Sequence, residues 1–202
     1  MNSPSNRHHD GNPSDWVRRY AHLIAPGARV LDLAAGRGRH ARYLAARGAE
    51  VLAVDSDAEA LAELVATPRV TTQIADLEAQ PWPFGTARFA AIVVVHYLHR
   101  ALLPHIRGAL DDGGVLLYET FARGNEVYGR PRNPDFLLAP GELLDWAART
   151  PALTVVAFEQ GLARRGDDVV VIQRLAAVAP GYPWPPALAG PGGKGGAGGG
   201  IG

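Results

Sequence analysis

The sequence predicts a doubly wound α/β sandwich, a mostly parallel seven-stranded sheet with helices on both faces and an antiparallel hairpin at one edge. Three observations carry this. Short apolar runs alternate with segments of helical period through most of the chain. A loop of small residues, Ala34 to Gly38, follows the first run, where a strand passes into a helix. The last two apolar runs, 153–158 and 169–175, are joined through Gly166-Asp167-Asp168 with no helical pattern between them, as in a hairpin.

Taken in order, Val17, Tyr20, Ala21 and Ile24 recur at i, i+3, i+4 and i+7 behind Ser14, a good N-cap, so a helix is expected over 15–25 and Pro26-Gly27 ends it. Strand one is expected at 29–33. A helix carrying Ala41, Leu44 and Ala45 follows the small-residue loop, with Gly48 placed to close it. Strand two is expected at 50–54. Asp57 then caps a helix with Leu61, Leu64 and Val65 on one face, and strand three covers 70–75. The run 90–95 reads as a central strand buried on both faces, and 115–118 as its neighbour, with a helix around 105–110 and an Asp112-Gly113-Gly114 turn between them. A polar segment at 121–140 and a helix around 141–149 lead to the hairpin.

The chain of 202 residues is long enough for one well-buried core. We expect a flexible N-terminus at 1–13, one domain at 14–179 and a disordered Pro/Gly-rich tail at 180–202. Twenty basic and twenty acidic residues cancel, which argues against nucleic acid as a partner and for a small molecule. There is no cysteine, so disulfides, thiolate metal sites and a Cys nucleophile are excluded, in keeping with a cytoplasmic location. No apolar run approaches the roughly 18 residues of a membrane-spanning helix, and no secretory signal opens the chain. The seven histidines form no zinc-type ligand set, so no metal site is expected, and His8 and His9 read as solvated tail. Oligomeric state is not legible.

Ligands of parallel α/β sheets bind at the carboxyl ends of the strands, where strand order reverses. Asp32, Asp55 and Asp76 stand at three such ends. Ionised carboxylates accept hydrogen bonds and never donate, so three of them suit a ligand with an ammonium group, a ribose diol and an exocyclic amine. Ala34, Gly36 and Gly38 make a loop small enough for close backbone approach.

Through Val30-Leu31-Asp32-Leu33-Ala34-Ala35-Gly36-Arg37-Gly38, Val54-Asp55 and Ala75-Asp76-Leu77, the chain resembles the class I S-adenosylmethionine-dependent methyltransferases over roughly 15–175. Within that class it is most similar to the small enzymes of the tellurite-resistance and ubiquinone-biosynthesis types. The resemblance implies a Rossmann-like fold, S-adenosyl-L-methionine as cofactor and a small-molecule methyl acceptor. It implies that Asp32 and the loop through Ala34, Gly36 and Gly38 hold the methionine part and that Asp55 takes the ribose hydroxyls. Asp76 would take the adenine amine, with the Leu77 backbone beside the ring. Two departures stand out: the loop's usual first glycine is Ala34, and the acid that often begins strand four is Ala90.

Methyl transfer is an in-line displacement in which orientation can supply most of the acceleration. In this fold His96, Tyr97, His99 and Arg100 follow strand four beside the sulfonium, and Glu119 and Thr120 follow strand five. His96 is the expected base and a cofactor contact, with Glu119 and Tyr97 as further catalytic candidates; a structural hydrogen-bonding role for His96 is the competing reading. Segment 121–140 reads either as a substrate cover or as a solvated connection. As a cover, Tyr128, Arg130 and Arg132 would contact substrate, and the arginines hint at an anionic one. The alternatives are a NAD(P)-binding oxidoreductase, since Gly36 to Ala41 formally matches G-x-G-x-x-A, and a catalytically inactive binding module. Asp32 counts against the first, because it would repel a pyrophosphate.

Overall fold

The computed structural model describes residues 11–149, 151–165 and 168–188. The strands are β1 Arg29–Leu33, β2 Glu50–Asp55, β3 Val70–Ile74, β4 Phe89–Val95, β5 Leu110–Phe121, β6 Thr154–Arg165 and β7 Asp168–Val178. The helices are α1 Asp15–Tyr20, α2 Arg39–Ala46, α3 Ala58–Ala62, α4 Leu103–Gly108 and α5 Glu142–Ala147. One sheet takes the order β3-β2-β1-β4-β5-β7-β6. β1 to β5 pair in parallel, whereas β7 lies antiparallel to both β5 and β6. The expected edge hairpin therefore forms, and its second strand is the one inserted next to β5. Strand order reverses between β1 and β4, which places the switch point, and hence a ligand crevice, at the carboxyl ends of these two strands.

Alternate side chains leave a strand on opposite faces, so the central strands feed two cores. Leu31, Leu33, Ile92, Val94, Leu116 and Tyr118 pack with Ile106 and Trp146 of α4 and α5. Val30, Val93 and Leu117 pack on the other face with Trp16, Val17, Leu44 and Leu61 of α1 to α3. Fully buried apolar strands of this kind are what two covered faces require.

The Ser14 hydroxyl accepts the Trp16 amide at 3.1 Å, as a cap should, but α1 ends at Tyr20 and tightens into a 3-10 turn at Ala21–Leu23. α3 is a little over one turn long, so Leu61 and Leu64 are buried while Val65, expected beside them, is 73% exposed. The helix expected around 105–110 sits earlier, and Leu110 already belongs to β5. Asp112-Gly113-Gly114 is not a turn between elements but a bend inside β5, where the register against β4 shifts between Phe89 and Ala91. Gly113, at φ +74°, donates to the Pro180 carbonyl at 2.7 Å, and a Cβ there would lie 3.1 Å from the Gly181 backbone. The start of the expected tail is thus seated on the body: Tyr182 is half-buried and its hydroxyl donates to the Leu23 carbonyl at 3.1 Å. Residues 1–10, 166–167 and 189–202, which include His8, His9 and most of the expected termini, lie outside the described residues. Among the described residues no helix is long and apolar enough to cross a membrane, and no group of acids and histidines is arranged to hold a metal ion.

Candidate active site

At the carboxyl ends of β1 to β4 a cleft of about 200 Å³ is lined by Ala34, Asp55, Ala75, Asp76, Leu77 and Tyr97, together with Ser56 and Glu78. Each wall follows from local backbone chemistry. β1 ends in a loop whose Ala34 takes φ +53°, a conformation costly for a residue with a Cβ. Gly36 follows at φ +54°, and its N–H donates to Asp55 Oδ2 at 2.7 Å, while Oδ1 accepts the Asp57 amide at 3.0 Å. Asp55 therefore ties the glycine loop to the end of β2 and still lines the cleft. Asp76 Oδ1 accepts the Glu78 and Ala79 amides at 2.9 and 3.0 Å, closing a turn that buries Leu77.

The two loop glycines differ. A Cβ on Gly36 would meet nothing within 4 Å, so only its dihedral and the open space beside it call for glycine. On Gly38, at φ +74°, a Cβ would lie 2.3 Å from the buried Leu64 side chain. Packing of α2 on the turn after α3 explains Gly38 without a ligand.

Asp32 is 1% exposed and does not line the cleft. Burial pushes its carboxyl up to about 7, against the Ala41 amide bond and the nearby Arg39, which favour the charged form. Among the described residues Oδ2 meets no hydrogen-bond partner. Tyr97 sits in the cleft with Asp55 and Asp76; burial and the Glu78 carboxylate raise its pKa, which keeps the phenol protonated.

A second cluster stands where β4 and β5 end. The parallel pairing of Val95 with Glu119 continues as the His96 amide donating to the Glu119 carbonyl at 2.8 Å. This brings His96 Nε2 to 3.4 Å from Glu119 Oε1. Glu119 Oε2 accepts the Ser14 hydroxyl at 2.9 Å and pairs with Arg174 Nε at 2.8 Å. Burial alone would raise Glu119, but His96, Arg174 and Ser14 outweigh it and hold the carboxyl at about 2. The Ser14 amide donates to His40 Nε2 at 3.1 Å, so the start of α1 is fastened over this cluster.

Residues 30–114 match the methyltransferase domain family. The tRNA U34 carboxymethyltransferase of Methylococcus capsulatus is 28% identical over 153 residues, 65% of this chain and 47% of that protein. The chain spans about half the length of the curated relatives it matches. TehB from Haemophilus influenzae superposes with a TM-score of 0.67 at 20% identity, over 81% of this chain and 61% of that one. An S-adenosylmethionine-dependent methyltransferase from Mesorhizobium loti gives 0.62 at 20% identity, over 81% and 96%. The chain has the class I S-adenosylmethionine-dependent methyltransferase fold.

Within this methyltransferase fold, the expected cofactor residues Ala34, Asp55, Asp76 and Leu77 share one cleft with Tyr97, while His96 and Glu119 pair in the second cluster. Tyr128, Arg130 and Arg132 are exposed on segment 121–140 and are not brought to either place. That segment is no loose connection at its base. Buried Asn125 accepts the Val171 amide at 3.0 Å, and Arg100 donates to Glu142 and to the Asp135 and Leu137 carbonyls at 2.7 to 2.9 Å. Nothing in the sequence alone marks Arg39, Ser14, His40 or Arg174 for the site. Ser14 was legible only as a cap, and Arg174 is one polar residue in an apolar strand, so neither carried a spacing signal.

Proposed function

We propose that this chain is an S-adenosyl-L-methionine-dependent methyltransferase acting on a small molecule. The observation that carries this reading is the cleft in which Asp55 and Asp76, from neighbouring strand ends, stand beside a loop tied down through Gly36. The cleft suits the cofactor chemically. Asp55 and Asp76 each keep acceptor capacity for the ribose diol and the adenine amine, Ala75 and Leu77 supply apolar walls, and open space lies where Gly36 lacks a side chain. The orphaned Oδ2 of Asp32 is an acceptor suited to the ammonium group, and a cation there would draw that carboxyl to its charged form. Tyr97, held protonated, is a hydrogen-bond donor on the cofactor side rather than a base. Gly38 serves the loop through packing. The bound cofactor supplies an electrophilic methyl group. The chain's own residues hold it, exclude water and, through His96 backed by Glu119, receive the acceptor's proton.

The relative named as a tRNA carboxymethyltransferase raises RNA as the other acceptor class. The chain's balanced charge favours a small molecule, since phosphate contacts need a basic surface. S-adenosylhomocysteine formation, followed by mass spectrometry with a metabolite pool in one reaction and bulk tRNA in another, separates these. Product in the metabolite reaction is expected. Product with tRNA alone would replace the acceptor, and a cofactor complex without turnover on any pool would make the chain a binding module.

A further inference from the structure

His96 stands at the end of β4 with φ +59°, a strained conformation for histidine, and its side chain is 11% exposed. Phe121 of β5 stacks on the ring at 5.0 Å. Nε2 faces Glu119 Oε1 at 3.4 Å, and Nδ1 faces Arg39 Nη2 at 3.2 Å. These polar neighbours decide where the proton sits. An ionised carboxylate can only accept and a guanidinium can only donate. Nε2 therefore carries the proton and Nδ1 offers its lone pair to Arg39. Among the charged groups that face the ring are Arg39 of α2 and Glu119 of β5, and Arg174 of β7 stands behind Glu119.

An imidazole whose Nε2–H is oriented by a carboxylate is an arrangement built for proton abstraction at the other nitrogen. Here that nitrogen is occupied. Arg39 heads α2 directly after Gly38, is half-buried, and also feels the buried Asp32. An anionic group arriving at this end of the sheet offers the guanidinium a charge-assisted bond, roughly twice as strong as one to a neutral nitrogen.

We propose that Arg39 is a substrate-operated latch on His96, and that the acceptor is a small molecule carrying a carboxylate or phosphate as well as an O–H or N–H nucleophile. This rests on the methyl-transfer reading. With no anion bound, Arg39 caps Nδ1. The acceptor's anionic group takes the guanidinium and bares Nδ1. The nucleophilic atom then bonds to the methyl carbon, the carbon–sulfur bond breaks with its electron pair passing to sulfur, and the nucleophile's proton goes to Nδ1. The latch places the anion site at the half-buried Arg39, at the head of α2, and not at the exposed Arg130 and Arg132.

The test is 15N NMR of histidine-labelled full-length protein, with His96 assigned by its loss in His96→Gln. The starting spectrum should show the Nε2–H form with Nδ1 hydrogen-bonded. Benzoate and, separately, inorganic phosphate should move the Nδ1 signal of the wild type, and Arg39→Met should show the moved signal without any anion and bind the anions about tenfold or more weakly. Arg39→Lys, a milder change, should respond to anions in part. An Nδ1 signal indifferent both to the anions and to Arg39→Met would overturn the latch. So would a full response to S-adenosylhomocysteine alone, which would give Arg39 to the cofactor's own carboxylate. Calorimetric titration of S-adenosylhomocysteine into the same wild-type sample reports on the cofactor reading separately, since its failure leaves the imidazole result standing.

Discussion

Gly38→Ala should destabilise the fold rather than act on ligand binding alone. The new Cβ would lie at 2.3 and 2.4 Å from the two Leu64 methyl carbons, and Leu64 is fully buried with little room to yield. Overpacking of this kind costs about 1–3 kcal/mol. The backbone adds to it, because φ +74° costs an alanine about 1–2 kcal/mol. The stiffer unfolded chain returns roughly 0.4–1 kcal/mol. A net loss of about 1–4.5 kcal/mol follows, which for a chain of this size lowers Tm by roughly 2–18 °C. Urea denaturation of the single variants and of the double variant with Leu64→Ala separates the two contributions. Truncating Leu64 removes the clash, so Gly38→Ala should cost only about 1 kcal/mol in that background, the backbone part. A loss below about 1 kcal/mol for the single variant, or additivity within about 0.5 kcal/mol across the cycle, would refute the packing argument.

Three further outcomes follow from the site. Ala34→Gly removes a left-handed alanine and should stabilise by up to about 1 kcal/mol in thermal melts, with no gain if φ +53° is not kept in solution. Asp32 is raised from 3.8 to about 7, so the folded protein keeps a proton that the unfolded chain releases, and stability falls as pH rises through that window. Asp32→Asn should therefore be more stable than the parent by up to about 4 kcal/mol at pH 8, a gain that vanishes near pH 4; equal pH profiles would contradict it. Glu119 is depressed from 4.5 to about 2, so its stabilisation is present above pH 4.5 and is lost as pH falls toward 2. Glu119→Gln should lose about 3 kcal/mol at pH 7 in urea titrations and flatten the acid limb; an unchanged acid limb would show that the pairing with His96 and Arg174 does not form.

The cofactor half of the site was legible because its residues follow the chain's own punctuation. Asp32, Asp55 and Asp76 each close or follow an apolar run, and the small residues from Ala34 to Gly38 mark one strand-to-helix turn. Strand ends could therefore be read as a crevice before any contact was known. The reading blurred where a residue's reason lies across the fold. Gly38 looks like a ligand-loop glycine until Leu64 is seen against it, and Gly113 like a turn until Pro180 and Gly181 are seen seated on it. Ser14, Arg39, His96, Glu119 and Arg174 come from or beside α1, α2, β4, β5 and β7, and no local spacing announces such a meeting. Arg130 and Arg132 show the converse: their closeness in sequence suggests an anion site, but both face solvent.

Calorimetric titration asks whether the carboxylate cleft holds S-adenosyl-L-methionine. Wild-type protein and Asp55→Ala are titrated with S-adenosylmethionine, S-adenosylhomocysteine and NAD. Both sulfur compounds should bind the wild type, their affinity should fall by about tenfold or more in Asp55→Ala, and NAD should give no heat of binding. Binding of NAD without either sulfur compound would contradict the account and turn the cleft into a dinucleotide site.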